Sequence, residues 1–368
     1  MRSDGIRRRP VKIVATILSG NSQSLVSDAI VSVRDYMDQL LLIDTGITDE
    51  TVARAEAAAG EKLKVLTFPW CDDFAAARNF ALNAASEFNA NWALTIDTDE
   101  RVNFSSLRTR DALIARLNQR DDTMAWMVAA ADHSYAKERF IRVPTSLTWV
   151  GRTHEALIGA SDQARELLDD VHFWETPKSA EQYRHKLERD LRILETETAK
   201  DPGDARWWYY LGQTLDGMGE TERALEAYQS CARNEGWNEQ LAWSSYCAAK
   251  CLTRMHRFRD AEEAAAYGLT IDAGFAELPW IAGWACYQRD ALEQAVAWSN
   301  MAANMGEFAA RSLRRPRVGF RFLPAWYEAP YDTLRHALRK LGEFQAADRA
   351  EKCFRRAKQL RLGGNITV

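Results

Sequence analysis

The chain has no long hydrophobic run. None of its apolar stretches approaches the roughly 20 residues that span a bilayer, so the sequence predicts no membrane span. The stretch Val11 to Leu18 follows Arg7, Arg8 and Arg9 and so mimics a secretion signal. It is short and carries no obvious small-residue cleavage site, which makes it a first strand instead. Cysteine is scarce: six in 368 residues, at 71, 231, 247, 251, 286 and 353. Cys247 and Cys251 lie one helical turn apart, but no second pair completes a zinc site. The thiols read as reduced filler of helices in a cytoplasmic protein. A bias of charge is missing too, since 48 Lys and Arg against 52 Asp and Glu leave a net −4. That excludes a general affinity for nucleic acid.

What is present divides in two. The length favours two domains, because single cores rarely grow past about 250 to 300 residues. Through about residue 178 strands alternate with helices: VKIVATIL (11–18), SLVSDAIVSV (24–33), QLLLID (39–44), DETVARAEAAA (49–59), KVLTF (64–68), a helix after Asp73, and WALTI (92–96). Asp49 is the expected N-cap and Gly60 the expected stop of the second helix. Such units imply an α/β domain, 1–178, with a mostly parallel sheet covered on both faces. From 179 to 368 the rhythm is helical. In ARWWYYLGQTLDGMGETERALEAYQSCA (205–232), Trp208, Leu211, Gly212, Leu215, Gly219, Ala224 and Tyr228 match tetratricopeptide spacing. Ala261 and Ala295 recur at about the 34-residue period, and YDTLRHALRKLGEFQAADRA (331–350) is a last copy. A helical linker and an all-α solenoid are expected there. The basic stretch 311–321 reads as a solvated loop, and Arg7 to Arg9 as a tail.

The densest chemistry lies in WALTIDTDER, where a short apolar run stops at Asp97-Thr98-Asp99-Glu100. Three carboxylates in four residues repel one another, and stability alone rarely asks for that. Asp-x-Asp at the end of a buried strand suits a hard divalent cation, with phosphate and water oxygens filling the remaining positions. A solvated turn of capping acids is the plainer alternative for a bare Asp-x-Asp.

The surroundings decide between them. WCDDFAAARNFALNAASEFNANWALTIDTDE (70–100) resembles the family-two glycosyltransferases of the GT-A fold, in the branch that carries tetratricopeptide (TPR) repeats behind the catalytic domain. That branch shows Asp-Phe, then Ala-Arg-Asn, then a helix, then a strand and Asp-x-Asp-Glu. Here these stand as Asp73-Phe74, Ala77-Arg78-Asn79 and Asp97 to Glu100. DTGITD (44–49) is similar to the family's Asp-Thr-Gly-Ser-Thr-Asp. RFIRVPTSLTWVGRTHEAL (139–157) looks like its Arg-x-x-Arg and aromatic-x-Gly-x-x-His-Glu segment, and HKLERDLRILE (185–195) like its linking helix. Two departures stand near the expected nucleotide pocket: Gly20-Asn21-Ser22 in place of Lys-Asn-Glu, and Ile47 in place of serine.

The resemblance implies a metal-dependent, inverting transferase that uses Mn2+ or Mg2+ and a nucleotide-sugar donor, most simply UDP-linked. It makes Asp99 the metal ligand and Asp97 the contact to ribose or to a metal-bound water. Asp44 would meet the nucleobase, or else cap the turn at Gly46. Arg78 would reach pyrophosphate or base, or else form a surface ion pair. Gly151 belongs to the loop before the base, and Glu155 is the base, with a helix-start glutamate as its alternative reading. The last metal ligand falls to His172 or His154, either of which could instead be structural. The repeats are expected to hold a protein or peptide acceptor, and the oligomeric state stays open, a homo-oligomer included. Two rivals remain. One is a non-catalytic TPR scaffold with a degenerate transferase domain. The other is a sugar-nucleotide nucleotidyltransferase, which LSGNSQS (18–24) disfavours for want of a basic residue.

Overall fold

In the computed structural model the chain divides after Ser179 into two compact units. The structure describes residues 10–133, 135–159, 161, 164–306 and 321–363. Arg7 to Arg9 and nearly all of the basic stretch 311–321 lie outside the described residues.

The first unit opens with β1 (Ile13–Ser19), α1 (Val26–Val33), β2 (Gln39–Asp44), α2 (Thr51–Ala59), β3 (Leu63–Thr67), α3 (Phe74–Glu87) and β4 (Trp92–Asp97). Every one of these was expected, with ends shifted by a residue or two. Side chains alternate along the strands. Ile13, Ala15, Ile17, Leu40, Leu42, Leu94 and Ile96 face a core that includes α1 and α2. Val14, Leu41, Ile43 and Ala93 face a second core built on α3. The sheet is thus covered on both sides. Asp73 caps α3, its side chain accepting the Ala76 N–H at 2.8 Å. Gly60 ends α2 with φ +60°. The N-cap position of α2 falls on Glu50, one residue after the expected Asp49, whose side chain still accepts the Thr51 N–H at 3.0 Å.

Further strands complete the unit: β5 (Glu100–Asn103), then after α4 (Arg110–Leu117) β6 (Ala125–Ala130), β7 (Ala136–Arg142) and β10 (Arg165–Glu175). Eight strands run in the order β3-β2-β1-β4-β7-β6-β10-β5. The β3-β2-β1-β4 half is parallel, as is the β6–β10 pair; β7 and β5 run antiparallel to their neighbours. A separate ribbon pairs β8 (Thr148–Val150) with β9 (Ala156–Ile158).

The second unit is helical. It opens with α5 (Ala180–Lys200) and continues through hairpins α6 (Ala205–Met218) with α7 (Thr221–Arg233), α8 (Asn238–Arg254) with α9 (Phe258–Ile271), and α10 (Glu277–Gln288) with α11 (Leu292–Met305). A short α12 (Leu323–Trp326) precedes the last hairpin, α13 (Ala329–Lys340) with α14 (Phe344–Gly363). The small residues of the repeat set how close the paired helices come. A Cβ on Gly212 would meet the Tyr228 ring at 2.6 Å. Gly219 turns the chain between α6 and α7 with φ +81°. Ala224, Ala261, Ala295 and Ala347 are fully buried. Cys231, Cys247, Cys251 and Cys286 are buried as well. Burial pushes the Cys247 thiol up to about 12, so it packs as a neutral group. Among the described residues no helix is long and apolar enough to cross a membrane.

Candidate active site at the carboxyl edge of the sheet

The chain winds outward from β1 through β2 and β3, then adds β4 on the other flank of β1. The carboxyl ends of β1, β2 and β4 therefore meet where the strand order reverses. Register sets Leu18 beside Asp97 and Ser19 beside Asp44. Open α/β sheets bind ligands at such reversals. The loops that leave this edge are tied to one another. Asn21 accepts the Thr48 N–H at 2.8 Å and donates to the Thr48 hydroxyl at 2.9 Å. The Ser22 and Thr98 hydroxyls bond at 3.2 Å. Asn21, which matches the asparagine of Lys-Asn-Glu, makes the first of these ties, and the departure Ser22 makes the second.

Asp97 closes β4, and Arg78 reaches it from α3. Arg78 Nη2 donates to Asp97 Oδ1 at 2.9 Å, while its Nε donates to Glu155 Oε1. The guanidinium also lies 5.5 Å from the Trp149 ring centre. Its side chain is only 11% exposed, which rules out the surface ion pair. Burial works against the charged guanidinium, but Asp97 and Glu155 raise its affinity for the proton above that of free arginine. At Asp97 burial favours the neutral acid; Arg78, Arg139 and Lys137 outweigh it and hold the carboxyl well below the usual range.

Glu100 behaves oppositely. It is 1% exposed, ion-pairs with Arg139 and lies 3.1 Å from Lys137. Burial pushes its carboxyl up despite those cations, and the charge of Asp97 adds to the rise. Lys137 also meets Glu175 at 2.7 Å. Arg139 stands 4.0 Å from Asp97. Asp99 is paired separately, with the Lys178 ammonium on its Oδ2. Its carbonyl accepts the Thr176 N–H at 2.7 Å.

Glu155 comes from the loop between β8 and β9. Gly151 turns into that loop with φ +99°, and His154 precedes Glu155 with φ +50°. Two contacts hold the loop to α3. The Arg152 carbonyl accepts the Phe74 N–H at 2.9 Å. Asn79 bonds both backbone groups of Trp149, each at 2.9 Å, as a neighbouring strand would. The Ala-Arg-Asn motif thus does two jobs in adjacent residues: Arg78 joins Asp97 to Glu155, and Asn79 pins the strand that leads to Glu155.

Not every expected residue meets the others. Asp44 Oδ1 accepts the N–H groups of Gly46 at 2.8 Å and Ile47 at 2.7 Å, so the turn-capping alternative describes that oxygen. His172 lies on β10 opposite Asn103, four residues short of Thr176. That is roughly 13 Å of strand from the Asp99 contact. Alternation turns it away from Phe173 and Glu175, which meet Lys137, and its ring packs 5.1 Å from that of His133. Among the described residues no three His, Cys, Asp or Glu side chains form a ready metal cage. Asn79 and Arg139 stand within the quoted motifs, though nothing in a linear pattern gave them partners. Lys137 and Lys178 carried no signal at all.

Residues 16–157 match the family model described as glycosyl transferase family 2. The first unit is a family-two glycosyltransferase domain. An uncharacterized glycosyltransferase of Rickettsia felis is 30% identical over 117 residues, 32% of this chain and 38% of that protein. One from Rickettsia conorii is 31% identical over 117 residues, 32% and 39% of the two chains. A TPR repeat-containing protein of Synechococcus elongatus is 31% identical over 224 residues, 56% of this chain and 51% of its own. The chain thus spans about half or less of the length of these relatives. Among solved structures, MamA aligns at TM-score 0.38 and 11% identity, over 51% of this chain and all of its own. At that level the likeness carries no weight, and the helix pairs described above establish the repeat-like second unit. The α/β transferase domain followed by a helical TPR-like region is the architecture that the motifs implied.

Proposed function

We propose that the chain transfers a sugar from a nucleotide-diphosphate sugar, most simply UDP-linked, to an acceptor, with inversion at the anomeric carbon. The observation that carries this reading is the Arg78 bridge, which gathers residues 19 and 77 positions away in sequence onto one guanidinium at the sheet's reversal. The acceptor nucleophile attacks the anomeric carbon while the bond to the diphosphate breaks. Glu155 takes the acceptor's proton, and the nucleotide diphosphate departs with the bonding pair. Arg78 holds Glu155 and Asp97 in register and keeps a permanent positive charge beside the donor. Gly151 lets the Glu155 loop approach the donor, and Asp44 keeps its second oxygen for the nucleobase.

The donor set also fits a divalent cation, Mn2+ or Mg2+. Among the described residues Asp99 carries a single ammonium and no guanidinium, and that ammonium marks the carboxylate as a seat for positive charge. One or two carboxylates completed by phosphate and water oxygens are the usual arrangement for Mg2+. Such an ion would neutralise charge on the departing diphosphate. Asp97, already paired with arginines, suits the ribose or a metal-bound water. His154, next to Glu155, is a better-placed further ligand than His172. Stacked helical repeats commonly hold peptides on extended surfaces, which supports a protein or peptide as the acceptor. Incubating the full chain with UDP-sugars and Mn2+ tests the reading. Release of UDP is expected, with sugar added to an acceptor or freed as the hydrolysed sugar. A folded chain that turns over no nucleotide sugar would favour the scaffold reading instead.

A further inference from the structure

Asp99 already has a cation. Lys178 follows β10, and its ammonium sits on Asp99 Oδ2, with the lysine side chain 36% exposed and the aspartate 19%. The other cations of the cluster are engaged elsewhere: Arg78 with Asp97 and Glu155, and Lys137 and Arg139 with Glu100. The Thr176 N–H on the Asp99 carbonyl fixes the backbone two residues before the lysine. Lys178 is therefore delivered to one carboxylate, and that carboxylate is the one read above as the metal ligand.

We propose that Lys178 is the built-in counter-ion of Asp99, and that a divalent cation replaces it as the nucleotide diphosphate arrives. The proposal rests on the assignment of Asp99 as metal ligand. A divalent ion beside the ammonium would set three positive charges against one carboxylate, where Lys137 and Arg139 set two against Glu100, and the repulsion between them would be strong. A divalent ion alone must therefore displace the ammonium, and it binds weakly. A nucleotide diphosphate changes the balance twice over. Its phosphate oxygens complete the coordination of the ion, and its charge gives the displaced ammonium a new anionic partner. Metal and nucleotide then load together, each tightening the other by the same factor.

Titrating the full chain with Mn2+, alone and with UDP, tests this by calorimetry. Lys178→Met should bind Mn2+ alone about two- to fivefold tighter than the wild type, the range a partly exposed ion pair is worth. UDP should then tighten Mn2+ binding less in Lys178→Met than in the wild type. Lys178→Arg keeps the charge and should behave like the wild type. Lys178→Gln serves in place of Lys178→Met should the latter fail to fold. Equal Mn2+ affinity with and without the lysine overturns the exchange, as does a gain in Lys178→Arg equal to that in Lys178→Met. Absence of Mn2+ binding in every protein, with or without UDP, overturns it as well. Turnover of UDP-sugar by the wild type alongside any of those results would retain the transferase reading and remove only the exchange.

Discussion

Glu155 shares its Oε1 with Arg78, so to act as the proposed base it would have to release the guanidinium or use its other oxygen. Both routes need a carboxylate, not merely its shape. Glu155→Gln should therefore keep nucleotide-sugar affinity and cut transfer by roughly 10²- to 10⁴-fold, the usual worth of a general base. Steady-state kinetics beside a donor-binding titration would check this, and a rate within a few-fold of wild type would move the base elsewhere, Asp132 being next. Asp97, Asp99, Arg78 and Glu155 could be singled out in the sequence because each sits in a motif of fixed order. Their partners could not. Lys137, Arg139 and Lys178 are chosen by distances across strands β7 and β10, and an isolated Lys or Arg in a sequence is most often a solvated surface residue.

Between elements, the Asn79 contact to Trp149 ties α3 to β8. Two net hydrogen bonds are worth about 1–3 kcal/mol. Asn79→Ala should lower unfolding stability by that amount in urea, and should lower kcat more than donor affinity, because it loosens the strand that leads to Glu155. An unchanged kcat in a destabilised Asn79→Ala would leave the residue a purely structural tie. On α5, Asp190 is 1% exposed between Lys186 and Arg189. Burial favours its neutral form, but Arg189 and Lys186 win and hold its carboxyl below the free value. A depressed acid stabilises the fold above its unfolded value, near 3.9, and the benefit fades as pH falls through the folded value. The stability gap between wild type and Asp190→Asn should accordingly be full at pH 7 and shrink below about pH 4. A gap that stays constant with pH would mean packing, not charge, sets it. Elements with unbroken apolar runs, β1 through β4, were readable in the sequence. β5 (ERVN) and β7 (AKERFIR) were not, because they are short and charged and exist as strands only through the partners they meet.

On the scale of the whole chain, the change of rhythm near residue 178 was readable because the two halves bury their apolar residues on different periods. The α/β half alternates with period two along its strands, and the repeats bury Ala224, Ala261 and Ala295 at about the repeat period, and Ala347 in the last copy. The antiparallel β5–β10 pairing left no such periodic trace, although it carries the Asp99 surroundings. The central claim concerns that edge: Asp97 and Asp99 belong to a nucleotide-sugar site that takes a divalent cation. Calorimetric titration of the full chain with UDP and Mn2+, wild type against Asp99→Ala, tests it most directly. Metal-dependent UDP binding in the wild type, abolished in an Asp99→Ala variant that melts normally, is the expected result. Metal-dependent affinity that survives unchanged in Asp99→Ala would contradict it.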